Sequence, residues 1–137
     1  MKIQVVVPIK LNNERFPNKN LADLRGKPLC RYLLDTLSAM PGLETTVSCS
    51  DEKICSYLPE GVRFFKRSAE LDRFSVQRQE IVFSVLRDIS ADIYVYAHVT
   101  NPFLSAQSIQ AAIDAVAADG YDSAVGVTEH HTYGWYQ

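Results

Sequence analysis

The chain has 137 residues, 14 Lys and Arg against 16 Asp and Glu, and a formal charge of −2. That length suits a single domain over 1–137, large enough to bury about two-thirds of its unfolded surface, so it needs no oligomer merely to fold. The near-balanced charge excludes a general nucleic-acid binder, which would carry a strongly basic face, and no run approaches the ~18 consecutive apolar residues of a membrane span.

Along the chain, apolar runs rich in Val, Ile, Phe and Tyr alternate with helix-period stretches, the pattern of βαβ units around a mainly parallel sheet. A first strand spans 2–8 and breaks at Pro8 into a polar loop from Lys10 to Asn20. A helix follows over 28–40, with Pro28 in its first turn and Gly42 just past its end. Strand 44–49 leads to a helix over 51–58, with Ser50 as N-cap and Gly61 beyond it, and then to strand 62–66. Helix 76–90, capped by Ser75, places Ile81, Val82, Val85, Leu86 and Ile89 on one face and leaves Arg78, Glu80, Arg87 and Asp88 to water. Strand 92–98 is nearly continuous in apolar and aromatic residues, as a central strand covered on both faces would be. Helix 105–119 starts at Ser105 and stops before Gly120, a last strand covers 122–128, and a polar, aromatic segment runs from Glu129 to Gln137.

The loop after the first strand is the densest chemical feature. Lys10, Arg15 and Lys19 lie among the amides Asn12, Asn13, Asn18 and Asn20 at the carboxyl end of a strand, the edge where open α/β sheets collect ligands. Cations and convergent N–H donors there suit a polyphosphate, although an ordinary surface βα connection also uses Asn, Pro and Lys. His98, Thr100 and Asn101 follow strand 92–98 to the same edge. His98 either donates to a ligand hydroxyl or carboxylate, with a pH dependence, or is satisfied by neighbouring backbone. Arg67 reaches that edge after strand 62–66, as a ligand contact or as a surface cation paired with Glu70.

Other candidates are set aside. His130 and His131 on a strand would point to opposite faces, and no carboxylate–histidine helix motif accompanies them, so structural or incidental roles are expected of them rather than metal binding. Asp51 and Glu52 read as first-turn acids on a helix dipole. Cys30, Cys49 and Cys55 form no Cys-x-x-Cys pair and read as buried free thiols in a reducing cytoplasm. The amino terminus enters a strand without a basic segment and apolar core, so no targeting segment is expected.

The segment Val7-Pro8-Ile9-Lys10, the loop to Asn20, and Arg25-Gly26-Lys27-Pro28-Leu29 together resemble the amino-terminal signature of the CMP-sugar synthetases. These are the acylneuraminate cytidylyltransferases and their 3-deoxy-manno-octulosonate relatives, which read Ile-Pro-Ala-Arg, a short polar loop, Pro-x-Lys-Asn or Pro-x-Lys-Pro, and Gly-Lys-Pro-Leu. Val47-Ser48-Cys49-Ser50-Asp51-Glu52-Lys53-Ile54 is similar to the family's Ser-Thr-Asp-x-x-x-Ile. Arg67-Ser68-Ala69-Glu70-Leu71 is similar to Arg-Pro-x-Glu-Leu, and His98-Val99-Thr100-Asn101-Pro102-Phe103 to Gln-Pro-Thr-Ser-Pro-Leu. The likeness runs along the whole chain.

The resemblance implies an α/β, three-layer Rossmann-like nucleotidyltransferase fold with a mainly parallel sheet, truncated at the C-terminus. Family members continue through further strands, a dimerisation arm and the aspartates that hold magnesium. It also implies transfer of CMP from CTP to an acidic sugar, a nonulosonate or octulosonate, with release of pyrophosphate, a magnesium cofactor whose ligands this chain lacks, and a homodimer. Lys10 stands in place of the signature arginine and Lys19 in place of the phosphate-binding lysine; both are expected to be catalytic. Asn13 takes the place of a phosphate-binding serine and Asn20 that of an asparagine holding the cytidine. Arg15 matches the octulosonate branch, and Arg67 is implied as a nucleotide or substrate contact. His98, Thr100 and Asn101 fall where the sugar acid is met. Lys19-Asn20 and Thr100-Asn101-Pro102 favour the sialate-like branch.

The chain also departs from the family. Lys10 lacks arginine's planar, bidentate grip. Glu14 puts a carboxylate where sialate enzymes have lysine, and Thr100 replaces an aspartate that octulosonate enzymes use for magnesium. Nucleotidyltransferases that use UTP or GTP typically have a glycine-rich first loop, whereas Lys10 to Asn20 contains no glycine. A silent or partner-dependent nucleotide-binding module is the alternative from another class.

Overall fold

Val5 and Val7 point to one side of the first strand and Gln4 and Val6 to the other, and all four are buried, so this strand is covered on both faces. The computed structural model describes residues 1–118, 120–131 and 134, and the backbone but not the side chain of Arg78. The predicted helix end at 119, the terminal residues Thr132, Tyr133 and Trp135 to Gln137, and the predicted solvation of Arg78 lie outside this description.

The order of elements is β1 (Ile3–Pro8), β2 (Asp23–Leu24), β3 (Lys27–Pro28), α1 (Leu29–Ser38), β4 (Leu43–Cys49), β5 (Val62–Lys66), α2 (Arg78–Leu86), β6 (Ile93–Tyr96) and α3 (Ala106–Ala117). Single 3-10 turns occupy Lys19–Leu21, Glu52–Tyr57 and Ala69–Asp72. One parallel sheet has the order β5-β4-β1-β6, with Val5 opposite Thr45 on one side and Val95 on the other. Side chains of α1 and α3 join Val5 and Val7 in one core cluster. Val6 and Val85 are buried outside that cluster, and α2 contacts β1, so α2 covers the opposite face. The expected three-layer α/β arrangement around a parallel sheet is therefore present.

Helix α1 buries Cys30, Leu33, Leu34 and Leu37 at i, i+3, i+4 and i+7, the stripe an amphipathic helix turns to its core. Each of the three leucines contributes about 1.5–3 kcal/mol by leaving water. Ser105 caps α3 as expected, its hydroxyl accepting the Ser108 N–H at 3.1 Å. Gly42 and Gly61 have φ of +77° and +82°, the left-handed turn that ends the preceding segment without a Cβ penalty.

Several expectations are corrected. Within the predicted helix 51–58, Glu52–Tyr57 form a 3-10 helix rather than an α-helix, because Pro59 keeps Leu58 extended and too few residues remain to propagate one. Asp51, not Ser50, caps it, accepting the Lys53 N–H at 2.9 Å. Helix α2 begins at Arg78, with the Glu80 carboxylate accepting the Gln77 N–H at 3.2 Å, and Ser75 is no cap. Of its predicted apolar face only Val85 is fully buried, because α2 lies over the more polar sheet face that carries Gln4 and Thr46. Strand β6 is an edge, pairing only with β1 among the described residues. Tyr94 and Tyr96 are 39% and 38% exposed. The predicted strand 122–128 has no ladder partner among the described residues, and Val125 and Val127 are exposed. An apolar alternation marks a segment able to pair but does not supply the neighbouring strand. Cys30 and Cys49 are buried, whereas Cys55 is exposed on the outer side of its 3-10 turn.

The hairpin formed by β2 and β3 was not anticipated. Arg25 and Gly26 both take positive φ, 54° and 84°, which is the type I′ turn that suits tight hairpins. The Gly26 N–H donates to Asp23 Oδ1 at 3.0 Å.

Candidate functional site

Because β5, β4, β1 and β6 are parallel, the loops leaving them emerge at one edge. The chain moves outward from β1 to β4 and β5, then returns to the other side of β1 for β6. The order reverses between β1 and β6, where open α/β sheets form their ligand crevice. Lys10 to Asn20 leaves β1 at this point, and His98, Thr100 and Asn101 follow β6.

The loop is tied at both ends. Ile9 N–H donates to Ser48 O at 2.9 Å, Leu11 is buried, and Asn18 adopts the left-handed conformation that asparagine tolerates, with φ of 54°. Asn18 N–H returns to Leu11 O at 3.3 Å, and the Lys19–Leu21 turn follows. Asn20 is buried and its Nδ2 donates to Lys10 O at 2.8 Å, closing the loop across its base. Between these ties Asn12, Glu14, Arg15 and Phe16 are exposed, while Lys10, Asn13 and Lys19 are half-buried.

Beneath the loop lies Arg67, whose side chain is 1% exposed. Its Nη2 is 2.6 Å from Asp72 Oδ1 and donates to Ile9 O at 3.0 Å, Nη1 donates to Ser48 O at 2.5 Å, and Nε reaches Asp72 Oδ1 at 3.2 Å. The guanidinium thus ties the carboxyl ends of β1 and β4 to the Ala69–Asp72 turn. This corrects the alternative of Arg67 as a surface cation: its side chain is buried and donates to Asp72, Ser48 O and Ile9 O. Glu70, its expected partner, pairs instead with Arg73 at 2.7 Å. Ser50 Oγ donates to Asp72 Oδ2, and Lys10 Nζ donates to the main-chain oxygen of Asp72.

Three buried oxygens at this edge, Asn13 Oδ1, Asn20 Oδ1 and Ser48 Oγ, have no hydrogen-bond partner among the described residues. Leaving a buried acceptor unpaired costs about 1–3 kcal/mol, so each of these atoms suits a donor from water or from a bound ligand. The Nδ2 bond to Lys10 fixes which end of the Asn20 amide is the open acceptor.

On the β6 side, His98 packs edge-on against Tyr96, with ring centroids 4.7 Å apart. Thr100 and Asn101 are exposed in the following turn, where Asn101 N–H donates to His98 O at 3.0 Å. All three line a cleft of about 1080 Å³ between β6, α3 and residues 122–128. That cleft does not include the Lys10 loop. The structure gathers Lys10 and Arg67 around Asp72, ties Asn20 to the Lys10 carbonyl, leaves Arg15 at the exposed tip, and puts His98, Thr100 and Asn101 in a neighbouring cleft.

Among the described residues no three His, Cys, Asp or Glu side chains converge to hold a metal ion. His131 lies 3.3 Å from Glu129, with both side chains exposed. No described helix is long and apolar enough to cross a membrane. Asp72 and Ser50 are the site residues the sequence reading missed. Asp72 follows Arg67 by five positions, but Glu70 follows it by three, and spacing alone did not separate the two acids.

A parallel sheet with a basic loop at its switch point places the chain among the Rossmann-like nucleotide-binding folds. The chain belongs to the cytidylyltransferase family, whose profile matches residues 4–133. It is 30% identical over 122 residues to the 3-deoxy-manno-octulosonate cytidylyltransferase of Geobacter metallireducens, covering 87% of this chain and 46% of that protein. The chain therefore spans about half the length of the curated relatives it matches. Among solved structures, it superposes on a CMP:2-keto-3-deoxy-manno-octonic acid synthetase complexed with CTP with a TM-score of 0.71 and 18% identity, covering 88% of this chain and 49% of that one. On a cytidylyltransferase from Leptospira borgpetersenii the TM-score is 0.65 at 15% identity, covering 88% and 51%. At these identities the likeness shows the fold.

Proposed function

We infer that this chain holds CTP for transfer of its CMP group to an acidic sugar, with release of pyrophosphate. The observation that carries this reading is the unpaired, buried Oδ1 of Asn20 beside the loop that bears Lys10 and Lys19. Cytosine presents an exocyclic amine as a donor where a uracil-type base presents an acceptor oxygen. An open amide oxygen therefore suits CTP over UTP.

In the transfer, a sugar hydroxyl oxygen forms a bond to the α-phosphorus and gives up its proton to water, while the bond from that phosphorus to the bridging oxygen breaks and the electron pair leaves with pyrophosphate. The protein's part is to orient the partners and offset the negative charge that develops on the phosphate oxygens. Lys10, held at the base of the loop, and Lys19, at the start of its 3-10 turn, supply that charge, with Arg15 at the tip and Asn13 adding an amide. His98, Thr100 and Asn101 face the sugar acid. The octulosonate names of the curated relatives, together with Arg15, move the sugar toward the octulosonate side and away from the sialate-like preference read from Lys19-Asn20 and Thr100-Asn101-Pro102.

A second reading is nucleotide binding without turnover. Calorimetric titration with CTP, UTP and GTP, each with magnesium, followed by pyrophosphate release with 3-deoxy-manno-octulosonate or N-acetylneuraminate, separates the two. CTP-selective binding with turnover is expected of the first reading and CTP-selective binding alone of the second. No preference for CTP overturns both.

A further inference from the structure

The densest polar group that this transfer leaves unused is Asp72 with Arg67 and Ser50. Asp72 faces two ways. Its carboxylate turns inward, where Oδ1 accepts from Arg67 and Oδ2 from Ser50, and its main-chain oxygen turns toward the loop and accepts from Lys10 Nζ. The same Arg67 guanidinium donates at 3.0 Å to the carbonyl of Ile9, the residue before Lys10. Asn20 Nδ2 takes the Lys10 carbonyl. Lys10 is thus held at the peptide before it, at its own carbonyl and at its ammonium, and the first and third of these holds trace to Asp72.

We propose that Asp72 is a positioning residue for the transfer, one that sets the backbone and the ammonium of Lys10 from beneath the loop. The proposal rests on the reading that Lys10 meets the triphosphate. A lysine ammonium on a four-carbon stem samples many rotamers, and unlike arginine it brings no planar fork to define its own geometry. A fixed carbonyl acceptor narrows those rotamers to the ones that keep the charge above the strand ends. It occupies one of the three ammonium N–H donors and leaves two for phosphate oxygens. The carbonyl stays fixed because the carboxylate of the same residue is gripped on both oxygens and is 6% exposed, so the turn that carries it cannot swing without breaking a buried ion pair. In this way Asp72 compensates for a lysine standing where the family signature has arginine.

The test is a double-mutant cycle on affinity for CTP with magnesium, using Lys10→Met, Asp72→Asn and the pair, with circular dichroism confirming that each variant is folded. If Asp72 acts through Lys10, Asp72→Asn weakens CTP roughly tenfold in the wild-type background and less than about threefold once Lys10 is Met. A merely architectural Asp72 gives the same loss in both backgrounds, and that additive result overturns the proposal. Should Asp72→Asn fail to fold, Ser50→Ala goes through the same cycle; it frees one carboxylate oxygen and keeps the Arg67 pair. Its loss of affinity is then expected with Lys10 present and absent with Met in its place, and equal losses overturn the proposal. A wild-type chain that does not bind CTP at all overturns the nucleotide reading itself, and the role of Asp72 falls with it.

Discussion

Arg67→Met tests the buried guanidinium most directly. The substitution keeps a long apolar stem and removes the positive charge, leaving the Asp72 carboxylate, 6% exposed, without its partner. It also removes the donor to the Ile9 carbonyl and one of the donors to Ser48 O. Breaking a buried pair on one side costs about 3–5 kcal/mol, because the surviving charge stays desolvated. Within that figure, an orphaned carbonyl accounts for about 1–3 kcal/mol. For a small domain with a urea m-value of about 1–3 kcal/mol/M, the unfolding midpoint should fall by at least ~1 M. The companion Arg67→Met with Asp72→Leu removes both charges and should be more stable than Arg67→Met alone. Urea titration followed by circular dichroism measures both. A single variant within about 0.5 kcal/mol of wild type, the range typical of surface substitutions, would refute the buried pair, and so would a double variant less stable than the single.

Other expectations follow from the same geometry. Lys19→Ala should weaken CTP by about 1.5–3 kcal/mol through loss of a charge-assisted contact, and unchanged affinity in calorimetry would remove Lys19 from the site. Asn20→Ala should narrow the preference for CTP over UTP, and a ratio equal to wild type would separate Asn20 from the base. Exposed Cys55 should react first with a thiol reagent at pH 8, ahead of Cys30 and Cys49, whose thiols burial pushes up, Cys30 to about 11. Because the folded Cys30 thiol keeps its proton while the unfolded one, at 9.0, loses it, the associated stability is intact below pH 9 and declines between pH 9 and about 11. Wild type should therefore lose more stability than Cys30→Ala across that window, by on the order of 2 kcal/mol, and equal losses would contradict a protonated buried thiol. Ser105→Ala should cost about 1 kcal/mol by removing the cap of α3, and an unchanged urea midpoint would show the Ser108 N–H satisfied without it.

How much of this was legible beforehand depends on the range of the interaction. Local signals read well. The apolar run of β1, the i, i+3, i+4, i+7 stripe of α1, Ser105 at the start of α3 and the glycines after α1 and before β5 all encode their structure within a few residues. The cation-rich loop after β1 was visible for the same reason, since its position follows from the strand that precedes it. The hairpin at Arg25-Gly26 was local too, but it was absorbed into a motif and its turn chemistry went unread.

The remaining features depended on groups far apart in the chain. Arg67 belongs with Ile9 and Ser48, across separations that no pattern of spacing reveals, and its choice of Asp72 over Glu70 follows from how the Ala69–Asp72 turn packs under the loop. The apolar run of β6 announced burial, yet its place at the edge depends on whether another strand lies beside it. The sequence by itself determined β1, α1, β4, β5 and α3 and where the cations gather, because backbone preference and amphipathic period act over one or two turns. Only the tertiary structure decided which cation faces the crevice and which is sealed beneath it, because burying a guanidinium requires several acceptors from separate segments to meet around it.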